Sequence, residues 1–184
     1  MIARLLLLGV VASLSLGAQS SCSSNNGEGT LEVRDGGGVG KNTGQTFQTT
    51  LTLKDSSGKI TSQFDRGELI TFELTLLNRS SSSVRVQFPA LGNFQDFRVY
   101  ERDAEEALWV WVADKVFAMV VVDMTFAPGE SRTFTGTWNQ VTGGGEAVPA
   151  GRYDAWGVSL PVHITNPAVT EAETQSPRVP FTIR

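Results

Sequence analysis

From Thr46 onward, apolar and polar residues alternate with a period of two, and this pattern limits what the chain can fold into more than any other feature. Successive side chains on a strand point to opposite faces, so such alternation describes strands with one buried and one solvated face. Phe47, Thr49, Leu51 and Leu53 begin it, and the turn residues Asp55-Ser56-Ser57-Gly58 stop it. Ile70, Phe72, Leu74 and Leu76 then alternate with Thr71, Glu73 and Thr75. A polar turn from Asn78 to Ser83 leads to Val84, Val86 and Phe88, which alternate with Arg85 and Gln87. Further strands are expected at Phe94–Tyr100, Leu108–Val112, Phe117–Phe126, Thr133–Trp138, Tyr153–Leu160 and Val179–Ile183. No helical period is sustained anywhere in this region.

Many short strands with turn signals roughly every 8–12 residues mean a sandwich or barrel of antiparallel sheets. Pro149-Ala150-Gly151-Arg152-Tyr153 has the pattern of a tyrosine corner, with Ala155 where an antibody domain keeps its second cysteine. The expected fold class is therefore all-β, an immunoglobulin-like antiparallel β-sandwich over residues 45–184, with a tryptophan-rich core in place of the disulfide. Its four tryptophans, Trp109, Trp111, Trp138 and Trp156, are expected to pack in the core or on the sheets.

The start of the chain follows other rules. Met1-Ile2-Ala3-Arg4 places one cation before Leu5–Leu16, an uncharged apolar run, which is the pattern of a secretory signal peptide. The run is too short to span about 30 Å of hydrocarbon as a stable helix. Residues 1–21 are expected to be the signal peptide. Gly17-Ala18-Gln19-Ser20-Ser21-Cys22 approximates a bacterial lipobox, with Gln19 where leucine is usual. Cleavage nearby, for instance after Ala18, would leave Cys22 a free thiol. An unpaired exposed thiol is a liability in an exported protein, so acylation of Cys22 is the favoured expectation, which would anchor the chain to a membrane. Residues 22–44 are rich in Gly, Ser and Asn and read as a flexible tether, with Leu31–Arg34 a candidate edge strand. Within the tether, Gly36-Gly37-Gly38-Val39-Gly40-Lys41 mimics a phosphate-binding loop. Asp35 and Asn42 stand where that motif needs Gly and Ser or Thr, and no helix-forming run follows.

Composition removes several function classes. Fifteen Lys+Arg against 19 Asp+Glu give a net charge of −4, which leaves no excess of cations for nucleic acid. A single Cys excludes an intrachain disulfide and any multi-cysteine zinc site. His163 is the only imidazole, and no Ser lies in a G-x-S-x-G context, so no catalytic set is visible and an enzyme is not expected. Glu101, Asp103, Glu105 and Glu106 cluster beside Arg102, but without the spaced Asp/Asn-Gly pattern of a calcium loop they read as a solvated turn. Neither a metal nor a cofactor site is expected. Asp123 shares a face with Val121 and Thr125; it either faces solvent or pairs with a cation such as Arg98 or Arg132.

Phe72-Glu73-Leu74 with Asn78, Gln95-Asp96-Phe97, and Trp109-Val110-Trp111 with Phe117 follow one another in order. Ala127-Pro128-Gly129-Glu130, Trp138 and Pro149-Ala150-Gly151-Arg152-Tyr153 come after them. In this order and spacing, the segment from about Glu68 to Leu160 resembles the intracellular proteinase inhibitor (BsuPI) family. The resemblance implies an immunoglobulin-like sandwich that acts by binding a proteinase, of the serine type as the specific expectation, and needs no cofactor. A structural or adhesion module of the cell envelope is the alternative from a different class. An inhibitor must present an exposed loop to its enzyme. Two turns are candidates: Pro89–Phe94, with Leu91 and Phe94 as apolar contact residues, and Gly143–Pro149, with Gly144 and Glu146.

Overall fold

The structure is a computed structural model describing residues 45–184 apart from Leu91, Val162 and 166–168. The expected signal peptide (1–21), the tether (22–44), Cys22 and Leu91 lie outside the described residues. The strands are β1 (Phe47–Lys54), β2 (Gln63–Phe64), β3 (Ile70–Asn78), β4 (Val84–Phe88), β5 (Gln95–Glu101), β6 (Ala107–Val110) and β7 (Val122–Phe126). They continue with β8 (Ser131–Trp138), β9 (Gly151–Ser159), β10 (His163–Ile164) and β11 (Val179–Ile183), and one 3-10 turn spans Glu171–Thr174.

The strands form an immunoglobulin-like β-sandwich. One sheet has the order β1-β3-β8, and a second has the order β2-β11-β9-β5-β6. A smaller sheet, β10-β4-β7, continues the second: β4 precedes β5, β10 follows β9, and the same two chain segments pair in both sheets. Between the pairs Gln95↔Ser159 and Gln87↔His163, one segment advances eight residues while the other advances four. The surplus falls within 89–94, where Gly92 turns the chain at φ +87°.

Period-2 patterning sorts the side chains as alternation requires. On β3, Ile70, Phe72, Leu74 and Leu76 are fully buried, while Thr71, Glu73 and Thr75 are partly solvated. The inner face of β1-β3-β8 is covered in two parts. Leu51, Leu53, Ile70, Phe72, Leu74 and Trp138 meet Phe97, Val99, Tyr153, Ala155, Phe181 and Ile183 of the larger opposing sheet. Further along, Phe47, Leu76 and Phe134 meet Val84, Val86, Phe88 and Phe126 of the smaller one. Gly157 on β9 faces β3 without a side chain; a Cβ there would lie 2.8 Å from Leu74 Cδ1.

The tyrosine corner forms as expected, with the buried Tyr153 hydroxyl donating to the Pro149 carbonyl at 2.7 Å. Burial raises the pKa of this hydroxyl, and the nearby Glu101 charge adds to the effect. Trp138 is fully buried against Trp109, Tyr153 and Phe181, and its indole N–H donates to Val141 O at 2.7 Å. Trp109 and Trp111 pack half-buried against the same core, and Trp156 lies under the Arg98 guanidinium at 5.2 Å.

Some elements differ from the sequence reading. The strand expected over Phe117–Phe126 begins only at Val122, the first residue of that run to pair with β4, opposite Phe88. Residues 111–121 instead carry the chain from the edge of one sheet, at β6, to the edge of another, at β7. β2 and β10 are two-residue strands, too short for any alternation to announce them. Asp123 faces solvent, and its cation is Arg85 on the adjacent strand at 2.7 Å, because Arg98 is engaged by Asp96 and Arg132 by Glu130. Among the described residues, no helix is long and apolar enough to cross a membrane.

Candidate protein-binding surface

The β6–β7 connection, residues 111–121, holds most of the large apolar side chains that the described part of the molecule leaves in water. Val116 is 99% exposed, Met119 90%, Val121 60% and Val120 55%; only Ile60 and Leu69 add to them elsewhere. Single exposed apolar residues are ordinary, but four within six consecutive positions are a local excess, which makes this loop the candidate interaction surface.

The stem that carries this patch is rigidly held. Asp96 on β5 is buried; one carboxylate oxygen accepts from Arg98 Nε at 2.9 Å and the other from the Val112 backbone N–H at 3.2 Å. Trp111 donates its backbone N–H to Phe97 O at 2.8 Å, continuing the β5–β6 ladder by one bond. Its indole stands edge-on to Phe97 at 6.0 Å and lies 6.2 Å from the Phe117 ring. Gly136 makes room for that nest, since a Cβ there would fall 2.7 Å from Phe97 and 2.9 Å from the Trp111 indole nitrogen. Lys115 lies over the Trp111 ring at 4.5 Å, a cation–π contact that closes the stem. Short turns bind Ala113 N–H to Val110 O and Lys115 N–H to Val112 O. The far end is fixed by the β4–β7 ladder, which starts at Val122. The loop is thus held at both ends and by Phe117 between them, while Val116, Met119, Val120 and Val121 stand in water.

Gly92, in the turn between β4 and β5, adjoins this loop, for a Cβ there would lie 3.6 Å from the Phe117 ring. Phe94, however, is half-buried, its ring 5.1 Å from Phe88 and 5.9 Å from Phe134. The core takes up much of that ring. Gly144 and Glu146 are exposed at the tip of a tight turn tied by Gly145 N–H to Thr142 O, Thr142 N–H to Glu146 O and Gly143 N–H to Leu108 O. That turn carries no large apolar side chain.

Sequence reasoning missed residues 116–121 because Val120-Val121-Val122 continues into a genuine strand, and an apolar run looks the same whether the sheet takes it in or not. The available signal was excess: Met119 to Val122 are four successive apolar residues, where a half-buried strand would alternate.

Glu173 is buried, with no ion pair to a cation among the described residues, and its carboxylate accepts the backbone N–H groups of Thr46, Phe47 and Thr170 at 2.6, 2.9 and 3.1 Å, fastening the start of β1. The acidic turn after β5 is tied by Arg102 to Asp154 at 3.4 Å, and no three acidic, His or Cys side chains among the described residues group as a metal site. His163 pairs through its backbone with Gln87 on β4.

Comparison with solved structures finds loose likenesses. The sporulation control protein Spo0M from Bacillus subtilis aligns at 9% identity and a TM-score of 0.43, over 76% of this chain and 49% of that one. The alkylpurine DNA glycosylase AlkC from Pseudomonas fluorescens aligns at 10% identity and 0.41, over 76% of this chain and 31% of its own. The CARDB domain of the PF1109 protein from Pyrococcus furiosus aligns at 12% identity and 0.37, over 77% of this chain and 91% of the domain. The chain thus spans less than half the length of the first two, and none of the three bears on its function. No curated protein sequence matches it. The family model described as intracellular proteinase inhibitor (BsuPI) matches residues 58–160, more than half of the chain and the whole span from β3 through the tyrosine corner to the end of β9. The chain belongs to the intracellular proteinase inhibitor (BsuPI) family.

Proposed function

We propose that this domain inhibits a serine-type proteinase by seating the β6–β7 loop against the enzyme's cleft. We further propose that it acts outside the cytoplasm, exported by residues 1–21 and held on a membrane by a lipid on Cys22. The observation that carries the first reading is the exposed Val116–Val121 segment on an anchored stem, in a chain of an inhibitor family. An inhibitor that acts by occlusion needs no catalytic group. It needs about 800 Å² of complementary surface per partner, and it holds an advantage when the contacting loop is already ordered. The stem bonds from Asp96, Trp111 and Lys115 supply that order.

The test is titration of the purified mature protein against a panel of serine proteinases, beside a Val116→Asp/Val120→Asp double variant. Inhibition by the wild type that weakens at least about thirtyfold in the double variant is expected, since desolvated central contacts dominate binding. No inhibition at micromolar concentration would sink the reading in favour of a structural module. Anchoring is tested separately: a labelled fatty acid should enter the wild type and be lost in Cys22→Ala. Absence of label from the wild type would overturn the lipid anchor alone.

A further inference from the structure

Within the β6–β7 loop, one side chain differs in kind from its neighbours. Met119 is unbranched and 90% exposed, while Val116, Val120 and Val121 are β-branched. A valine is stiff about χ1 and short, whereas a methionine has three rotatable bonds and a polarizable tip that adapts to an apolar cavity. No residue from Val116 to Val122 is charged. The nearest cation along the chain, Lys115, is committed to the Trp111 ring at 4.5 Å and stands 4.0 Å from Asp114. An acid-floored specificity pocket, which selects Lys or Arg, finds no complement on this loop; an apolar pocket does.

We propose that Met119 fills the primary specificity pocket of the target, that the target is a proteinase preferring large apolar side chains, and that oxidation of the Met119 sulfur by a peroxide releases the enzyme. This rests on the reading of the β6–β7 loop as the inhibitory surface. In the oxidation, the thioether sulfur attacks one peroxide oxygen, the O–O bond breaks, an S–O bond forms, and water leaves when the oxidant is hydrogen peroxide. The sulfur loses two electrons and the peroxide gains them. The sulfoxide is polar, and seating it in an apolar pocket strips it of water without a replacement hydrogen bond. Accessibility makes the reaction selective: Met124 is half-buried against the second part of the core, so Met119 is the open methionine among the described residues.

The test uses the purified wild-type protein with Met119→Leu, Met119→Lys and Met124→Leu, assayed against proteinases with apolar and with acidic primary pockets. The wild type should inhibit the apolar-pocket class. Met119→Lys should weaken that inhibition about a hundredfold and gain inhibition of the acidic-pocket class. Limited peroxide should weaken the wild type and Met124→Leu at least about tenfold, with recovery on treatment with methionine sulfoxide reductase. Met119→Leu should shift inhibition by about threefold and show no response to peroxide. Melting temperatures for all variants confirm that each is folded. A wild type that inhibits while Met119→Lys matches it against both classes overturns this inference and leaves the inhibitory function standing. Peroxide sensitivity that persists in Met119→Leu overturns the switch. A wild type that inhibits nothing overturns both the inference and the function beneath it.

Discussion

Asn78 shows how one side chain can hold two turns. It is fully buried at the end of β3, and its amide nitrogen reaches the carbonyls of Ser82, Phe126 and Ala127 at 2.8, 3.0 and 3.1 Å. Its carbonyl accepts from the Ser80 backbone and hydroxyl at 3.0 and 2.7 Å. Removing the amide would leave these polar groups unpaired where water is scarce, so Asn78→Ala should destabilise the fold by about 3 kcal/mol. Urea unfolding checks this, and a loss below about 1 kcal/mol would show the turns to be self-sufficient. Gly157 tests the opposite error. Its missing Cβ would press on Leu74, so Gly157→Ala should cost about 1–3 kcal/mol through overpacking. A thermal melt no lower than that of the wild type would mean that the sheets can part without cost. Asn78 was legible as part of a family pattern, but its reason was not, because two of the three carbonyls it serves lie some fifty positions away, at the end of β7 and the start of the next turn.

The turn and the loop on either side of β7 divide the labour between stability and recognition. In Ala127-Pro128-Gly129-Glu130, Glu130 N–H donates to Ala127 O at 3.0 Å and Gly129 has φ +75°, the geometry of a type II turn. The Glu130 carboxylate takes the Ala127 N–H at 2.8 Å and Arg132 Nε at 3.0 Å. The bend itself is set by these local bonds, which is why its four letters were enough to place it, while Asn78 docks the turn through Gly129 N–H, Glu130 O and Ala127 O. The β6–β7 loop is the reverse case, since its order comes from contacts to β5. Asp96→Ala should release the Val112 N–H and the Arg98 guanidinium together and loosen the stem. Amide exchange at Val112 and in the following turn should then quicken by at least about tenfold, while β3 and β9 keep their protection. Unchanged exchange at Val112 would show that Trp111 alone sets the stem. If the loop is the inhibitory surface, the same variant should weaken inhibition through lost preorganisation.

Across the domain, charge sets how the fold responds to acid and alkali. Asp55 is held below its ordinary range chiefly by the Ser57 hydroxyl, Asp123 by the Arg85 guanidinium, and Glu130 by the Ala127 N–H. A carboxylate with a lowered folded pKa contributes stability above its unfolded pKa of about 4, and that contribution disappears as pH falls through the folded value. Tyr153, raised by burial, contributes below its unfolded pKa of about 10 and loses that contribution as pH rises further. The melting temperature should therefore plateau between these limits and fall on both sides, with the acid limb shallower in Asp123→Asn. A melting temperature flat from pH 3 to pH 7 would contradict this. The sequence was enough to specify the sandwich, because alternation, turn residues and the tyrosine corner act over a few neighbouring positions, where φ preferences and the two faces of a strand dictate the outcome. Only the tertiary structure decided which apolar residues stay outside. Val116, Met119, Val120 and Val121 are as hydrophobic as the residues of the buried strands, and they remain in water because the chain there runs between two edge strands, β6 and β7, without pairing into either ladder.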